Sequence, residues 1–292
     1  MVLNNVSYSQ YNLWSQCPFR WKLLYIDGLR EFTDSIHTMF GTSMHEVLQF
    51  YLHIMYTKSI KEADSIDVED LLRQRMQHHY ERIMKENGGV VFCTENDMVE
   101  FFQDGCDILD WFKKRRAQYF SKKGYELVGI ETELNYKMKG NVVFKGYIDL
   151  VIHDTVRDKY IVYDIKTSTK GWNKYQKKDR NKTDQLLLYK QFYSLQMKVP
   201  IDKIEVEFFI VKRKLWENVD FPQKRVQKVI PASGTPSINR VLSNLNTFLE
   251  ECFDENGEYL KDTIYRKEPS QKHCRYCEFK NKKELCDRKR EV

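Results

Sequence analysis

In the middle of this chain the apolar residues switch from a helical period to a period of two, and that switch limits what it can fold into. In "YELVGIETELNYKM" (125–138), "VVFKGYIDLVIH" (142–153) and "KYIVYDIKT" (159–167), apolar and polar residues alternate. A period of two predicts three strands, with Asn141 and the 154–158 region supplying the turns. Ahead of them the spacing is helical. A first helix over 10–25 is capped by Ser9 and interrupted by Pro18. A second, over 39–56, is apolar on more than one face and so expected to be buried. Two more polar helices follow over 68–85 and 95–120. Beyond the strands come a basic loop, a helix over 183–197 capped by Thr183, strands over 203–214 and 224–230, and a helix over 235–253 opened by Pro236. The order predicts an α+β, or mixed α/β, fold: a mostly antiparallel sheet with a helical N-terminal region wrapped on it.

Size and composition set outer bounds. A chain of 292 residues, 41% hydrophobic and 31% charged, suits a soluble globular protein. The net charge of +6 permits a nucleic-acid partner without requiring one. The N-terminal stretch lacks the basic and apolar regions of a signal peptide, and no apolar run approaches the length of a membrane span. Seven cysteines, an odd number, point to reduced thiols or metal ligands in an intracellular, cytoplasmic setting rather than to a disulfide framework.

The hairpin from Gly146 to Ser168 carries an unusual set of charges. Asp164 and Lys166 are two apart and so share a face, with Tyr163 and Ile165 pointing the other way. On the preceding strand Phe144, Ile148, Leu150 and Ile152 are expected to fill one face, with Asp149 on the opposite one. Two carboxylates on neighbouring strands can hold Mg²⁺ or Mn²⁺, hard cations that favour oxygen ligands, and the Ile165 carbonyl can add a third oxygen. Lys166 would then orient a water or stabilise charge on a phosphate. The plainer reading is a surface ion pair between Asp164 and Lys166. Two further stretches bear on the choice. His45, in "FGTSMHEVLQFY", is either a packed helical histidine or a ligand. Gln185 and Tyr189, in "TDQLLLYKQFY", share one helix face.

Taken together, these pieces resemble the RecB-like branch of the PD-(D/E)XK nuclease superfamily. Gly41 to His45 matches its GxxxH helix motif, and Gly146 to Asp149 its GxxD strand motif. Asp164-Ile165-Lys166 matches its D/E-x-K motif, and Gln185 to Tyr189 its QxxxY motif. The resemblance implies that His45, Asp149 and Asp164 bind the metal, that Lys166 is catalytic, and that Gln185 and Tyr189 position nucleic acid or Lys166. Many relatives carry Glu where Asp164 stands. Glu131 and Glu133, on the strand before, are further acidic candidates.

The tail "KHCRYCEFKNKKELCDRKR" holds Cys274 and Cys277 in a C-x-x-C pair, then Cys286. That spacing lets two thiolates reach one metal, and Cys17, far upstream, can complete a set of four. RecB-like nucleases of the AddB type and the CRISPR-associated exonucleases arrange one cysteine before the core and three after it. The resemblance therefore implies a four-iron four-sulfur cluster on Cys17, Cys274, Cys277 and Cys286. Structural Zn²⁺, with His273 as a substitute ligand, is the alternative. Cys93, Cys106 and Cys252 read as ordinary core or surface residues.

Between Lys166 and Gln185 runs a basic loop with Lys170, Trp172, Lys174, Tyr175, Lys177 and Lys178. Lysines attract phosphates and exposed rings stack on unpaired bases, so these six are expected to line a strand's entry. The whole chain then reads as one nuclease domain: a mainly helical region (9–121), a catalytic sheet core (125–230), and a C-terminal helix and cluster tail (235–292). No ATP-binding P-loop is present. The resemblance implies a metal-dependent DNA exonuclease on single-stranded or resected ends, serving recombination, repair or viral DNA processing with protein partners. A structure-specific endonuclease and a non-catalytic nucleic-acid-binding module are the alternatives.

Overall fold

Asp149 marks the point where the central sheet divides. A computed structural model describes residues 4–29, 34–138 and 140–287. In chain order it runs β1 (Asn4–Val6), α1 (Tyr8–Gln16), α2 (Pro18–Tyr25), α3 (Ile36–Thr57), α4 (Ile60–Ser65), α5 (Val68–Glu86) and α6 (Glu95–Arg115). Then come β2 (Tyr125–Lys137), β3 (Val142–Asp154), β4 (Lys159–Ser168), α7 (Arg180–Met197), β5 (Ile204–Lys212), β6 (Val226–Val229), α8 (Thr235–Cys252) and α9 (Gln271–Cys274). The result is a mixed α/β fold with helices on both faces of a mixed sheet. The strand order is β1-β3-β4-β5-β6, with β2 pairing β3.

One edge of β3 pairs with β2 along nearly its whole length. The other edge is shared. Its start pairs in parallel with β1 over Val142 to Phe144, and its end pairs antiparallel with β4 over Leu150 to Asp154. The ladder with β4 stops at Leu150 opposite Tyr163. From Asp164 onward β4 keeps only its parallel partner β5. The sheet is therefore forked between Gly146 and Asp149 on one side and Asp164 and Lys166 on the other.

Two hydrophobic cores cover the two faces. One is built by α7 and α8 with α1 and α2, through residues such as Trp21, Leu187, Phe192 and Phe248. The other is built by α3, α5 and α6, through Phe40, Leu48, Leu72 and Phe112. The expectation that Phe144, Ile148, Leu150 and Ile152 share a face is corrected here. Phe144 and Ile148 belong to the first core, whereas Leu150 and Ile152 belong to the second. The alternation changes sides across Asp149. Glu131, on β2 between the residues paired with Ile148 and Leu150, has a positive φ of 49°. That conformation interrupts regular strand geometry.

Most expected elements form within a few residues of their sequence bounds, and the differences have local causes. Ser7, not Ser9, caps α1 by accepting from the Gln10 N–H. Cys17 separates α1 from α2, because Pro18 has no N–H to continue the first helix and suits the first turn of the next. Asp179, not Thr183, caps α7, accepting from the Asn181 N–H, so this helix starts three residues earlier than expected. Among the described residues no helix is long and apolar enough to cross a membrane.

Candidate active site

At the fork, side chains replace the missing ladder. Asp149 Oδ2 accepts from the Ile165 backbone N–H at 2.6 Å, in the stretch where β3 and β4 have parted. The same oxygen lies 2.7 Å from His45 Nε2, which α3 delivers from the other core's side. Gln49, one helical turn on, donates to the Asp149 carbonyl oxygen at 3.0 Å and to Glu131 Oε1 at 2.6 Å. His45 Nδ1 is 3.5 Å from that Glu131 oxygen. His45, Glu131 and Asp149 each turn one ligand atom into a space less than 4.8 Å across. One imidazole and two carboxylates form a donor set suited to a divalent cation.

Asp164 and Lys166 form the other wall. Lys166 Nζ donates to Asp164 Oδ1 at 3.0 Å and lies 2.9 Å from Oδ2, which is buried and has no hydrogen-bond donor of its own. Asp164 is only 1% exposed, and that burial pushes its carboxyl up; Lys166 opposes the shift and the Asp149 charge adds to it. Burial works against a charged Lys166, but Asp164 and then Asp149 outweigh it and keep the ammonium protonated. His45 follows the same pattern: burial lowers its pKa, yet the hydrogen bond and charge of Asp149 raise it above the ordinary value. Three carboxylates thus face one lysine and one histidine, an excess of negative charge that attracts a cation.

Both motif glycines have a steric reason. A Cβ on Gly41 would come 3.1 Å from Thr167 Oγ1, so a glycine lets α3 approach the end of β4. A Cβ on Gly146 would lie 3.0 Å from the Tyr189 ring. Tyr189 therefore packs against bare β3 backbone, and Gln185 Nε2 donates to its hydroxyl at 3.1 Å. Both residues line one open cavity of about 750 Å³ together with His45, Asp149, Asp164, Ile165 and Lys166.

The structure thus brings the four motifs to one cavity, and it adds residues that sequence reasoning passed over. Gln49 is the helical i+4 neighbour of His45, a spacing that pointed to it. Glu131 joins the cluster, whereas Glu133 turns away to pair with Lys145 at 3.2 Å. Lys145 itself, Tyr147 and the segment from Ser7 to Gln10 also line the cavity. Their sequence carries no motif, and only the pairing of β1 with β3 brings that segment there.

The basic loop is placed differently from expectation. Its six residues lie outside the cavity wall. Lys170, Lys174, Tyr175, Lys177 and Lys178 are exposed. Trp172 is not a free ring. It is 8% exposed, packs on Phe208 with ring centres 4.9 Å apart, and is pinned through its N–H to Gln227 Oε1 at 2.7 Å. Burial in the core removes it from the stacking set.

The four cysteines of the terminal set share a cavity without forming a close cluster. Cys17, Cys274, Cys277 and Cys286 line one small cavity of about 30 Å³, with Phe19, Leu23 and His273. The Phe19 N–H donates to the Arg266 carbonyl and Arg20 pairs with Glu278 at 2.7 Å, so α2 and the tail close on each other. Among the described residues, no group of three or more cysteine sulfurs lies within 4.8 Å of one another. His273 Nδ1 is buried with no hydrogen-bond partner. Cys106 and Cys252 are buried core thiols.

A forked mixed sheet carrying acids and a lysine at the fork, served by a histidine from one face and a Gln–Tyr pair from the other, defines a phosphodiester-cleaving class of protein. The chain belongs to the PD-(D/E)XK nuclease superfamily, whose family profile matches residues 5–282. It is a nuclease fold, acting on nucleic acid by hydrolysis. Among solved structures it is similar to a protein of Eubacterium rectale proposed to be an exonuclease. That likeness has 13% identity and a TM-score of 0.48, covering 85% of this chain and 80% of that one. It is also similar to the protein SSO0001, with 11% identity and a TM-score of 0.25, covering 93% of each. No curated protein matches the chain significantly.

The Gly146–Tyr189 contact yields a direct expectation. Gly146→Ala should overpack this contact and cost about 1–3 kcal/mol in urea unfolding. It should also lower nuclease turnover by displacing Tyr189, and Gly146→Ala/Tyr189→Phe should not relieve the loss, because the phenyl ring keeps the clash.

Proposed function

We propose that this chain is a metal-dependent DNA exonuclease of the RecB-like branch, acting on single-stranded or resected ends. The observation that carries the reading is the convergence of His45, Glu131 and Asp149 on one point, with His45 and Asp149 lining the same open cavity as the Asp164–Lys166 pair. His45, Glu131 and Asp149 hold a divalent cation, Mg²⁺ or Mn²⁺, with Asp164 and the Ile165 carbonyl as further oxygen donors. Such an ion supplies Lewis acidity and lowers the pKa of a water. Lys166, held protonated by Asp164, presents its N–H groups to phosphate oxygens and to the attacking water. Gln185 and Tyr189 bound the space in which Lys166 and the strand must sit. Gln49 fixes Glu131 and the backbone of Asp149, so that both carboxylates stay aimed inward.

The cavity opens beside Lys145 and Tyr147, which offer a cation and a ring to an incoming strand. Linear single-stranded DNA should be degraded with Mn²⁺ or Mg²⁺, and closed circular single strands should persist. Lys166→Ala should slow cleavage at least about a hundredfold. Cutting of circles, lost in the variant, would make the enzyme an endonuclease. Cleavage that ignores Lys166 would refute the site.

We further propose that Cys17, Cys274, Cys277 and Cys286 hold a four-iron four-sulfur cluster that clasps the two ends of the chain. Their shared cavity supports a common ligand, and two of the four come from the C-x-x-C pair. Protein purified without oxygen should be brown and carry iron and sulfide in equal amounts, and Cys277→Ser should lose both together with thermal stability. Colourless protein with one bound zinc would show the site to be zinc instead.

A further inference from the structure

The cavity accounts for cleavage but not for the exposed rings that stand beside the end of β4. The loop from 213 to 225, between β5 and β6, bears Trp216 at 56% exposure and Phe221 at 61%. Tyr175, on the neighbouring basic loop, is 74% exposed. Trp172, on the same basic loop as Tyr175, joins the core at 8% exposure, whereas these rings stay in water.

The two loops are held together. The Arg213 N–H donates to the Ser168 carbonyl at 2.8 Å and the Lys214 N–H to the Thr169 carbonyl at 2.7 Å, which carries the β4–β5 pairing past the strand ends. Gln227 clamps the Trp172 backbone from β6, and Lys170 Nζ stands 4.1 Å from the centre of the Trp216 ring. The 213–225 loop is also anchored to α6. Arg213 and Lys214 both reach Asp104, at 2.6 and 2.9 Å, and Arg225 reaches Asp107 at 2.9 Å. Gln223 fixes the Trp216 backbone from both sides, accepting its N–H at 2.8 Å and donating to its carbonyl at 2.6 Å. Trp216 is therefore an exposed ring on a braced loop.

We infer that Trp216, with Lys170 beside it, is a stacking platform for an unpaired base of the strand whose phosphodiester enters the fork. This rests on the nuclease reading and deepens it by naming the residue that would hold the single strand away from the fork. The chemistry suits it. An indole stacks on any base and needs no sequence, while a lysine beside the ring meets the attached phosphate. Duplex DNA hides its base faces and gives the ring nothing to stack on. The placement suits it as well. Lys170 is four residues past Lys166, at most about 14 Å of extended chain. At about 3.4 Å per nucleotide, that bound is no more than roughly four stacked nucleotides between Lys166 and Lys170. Tyr175, exposed on the same loop as Lys170, likewise has a lysine over its ring, Lys174 at 5.0 Å.

The test is equilibrium binding of the full chain to a labelled 12-nucleotide oligo(dT) and to a blunt duplex of the same length, with Ca²⁺ in place of Mg²⁺. Trp216→Ala should weaken oligo(dT) binding by about tenfold or more, the scale of one lost stack, and leave duplex binding unchanged. Trp216→Phe should restore most of the loss, since the ring and not the indole N–H is needed. The salt dependence should be the same in wild type and Trp216→Ala, because no phosphate contact is removed. Urea midpoints within error of wild type would keep a folding defect out of the comparison. Equal oligo(dT) affinity in Trp216→Ala and wild type would overturn the platform, as would an equal loss on duplex and single strand. Either result alongside normal Lys166-dependent cleavage would leave the nuclease reading standing. Wild-type protein that binds neither nucleic acid and cleaves neither would overturn that reading itself.

Discussion

The hydrogen bond from the Ile165 N–H to the Asp149 carboxylate is the contact on which the site depends. It occupies the place where a backbone carbonyl of β3 would otherwise accept, and so it lets the two central strands part without leaving a buried donor unpaired. The carboxylate is pinned by backbone rather than by a flexible side chain. Its second neighbour, His45, is then within hydrogen-bond reach. A site built this way is stiff at its centre, which is what positioning a cation and a phosphate requires.

The fork also solves a problem of access. A continuous sheet keeps the residues of its two faces apart, and here α3 packs on one face while α7 packs on the other. Only where β3 and β4 separate can His45 from α3 and Tyr189 from α7 line the same cavity. The two glycines serve this convergence from opposite directions: Gly41 lets α3 close on β4, and Gly146 lets α7 close on β3. At the centre burial keeps the pKa of Asp164 raised, and Lys166, with a smaller contribution from His45, opposes the shift. Holding like charges together out of water is costly for the fold and useful for binding a cation.

How much of this could be read in the sequence follows the range of the forces involved. Helices α3, α5 and α8 and strands β2 to β5 were legible, because period and capping are local signals. The motif residues were legible as a set, since each occupies a fixed position on its own element. What escaped was long-range. β1 is three residues long, and its strand character comes from its partner Val142 to Phe144, not from its own sequence. The change of face at Asp149 breaks strict alternation, which strand reading assumes. Trp172 looked like a free ring in a basic loop, and its burial depends on Phe208 and Gln227, far away in the chain. Glu131 and Glu133 were indistinguishable as strand acids. The positive φ at Glu131 and the reach of Gln49 separate them.

Cys17 and the three tail cysteines line one small cavity between α2 and the tail, while catalysis is assigned to the fork. In the proposed mechanism the cation sits at the fork. A crystal soaked in Mn²⁺ and measured for anomalous scattering tests it most directly. One strong peak bonded to His45, Glu131 and Asp149 is expected, absent from a His45→Ala/Asp149→Ala crystal treated identically. A fork without a peak, with manganese bound only elsewhere, would contradict it.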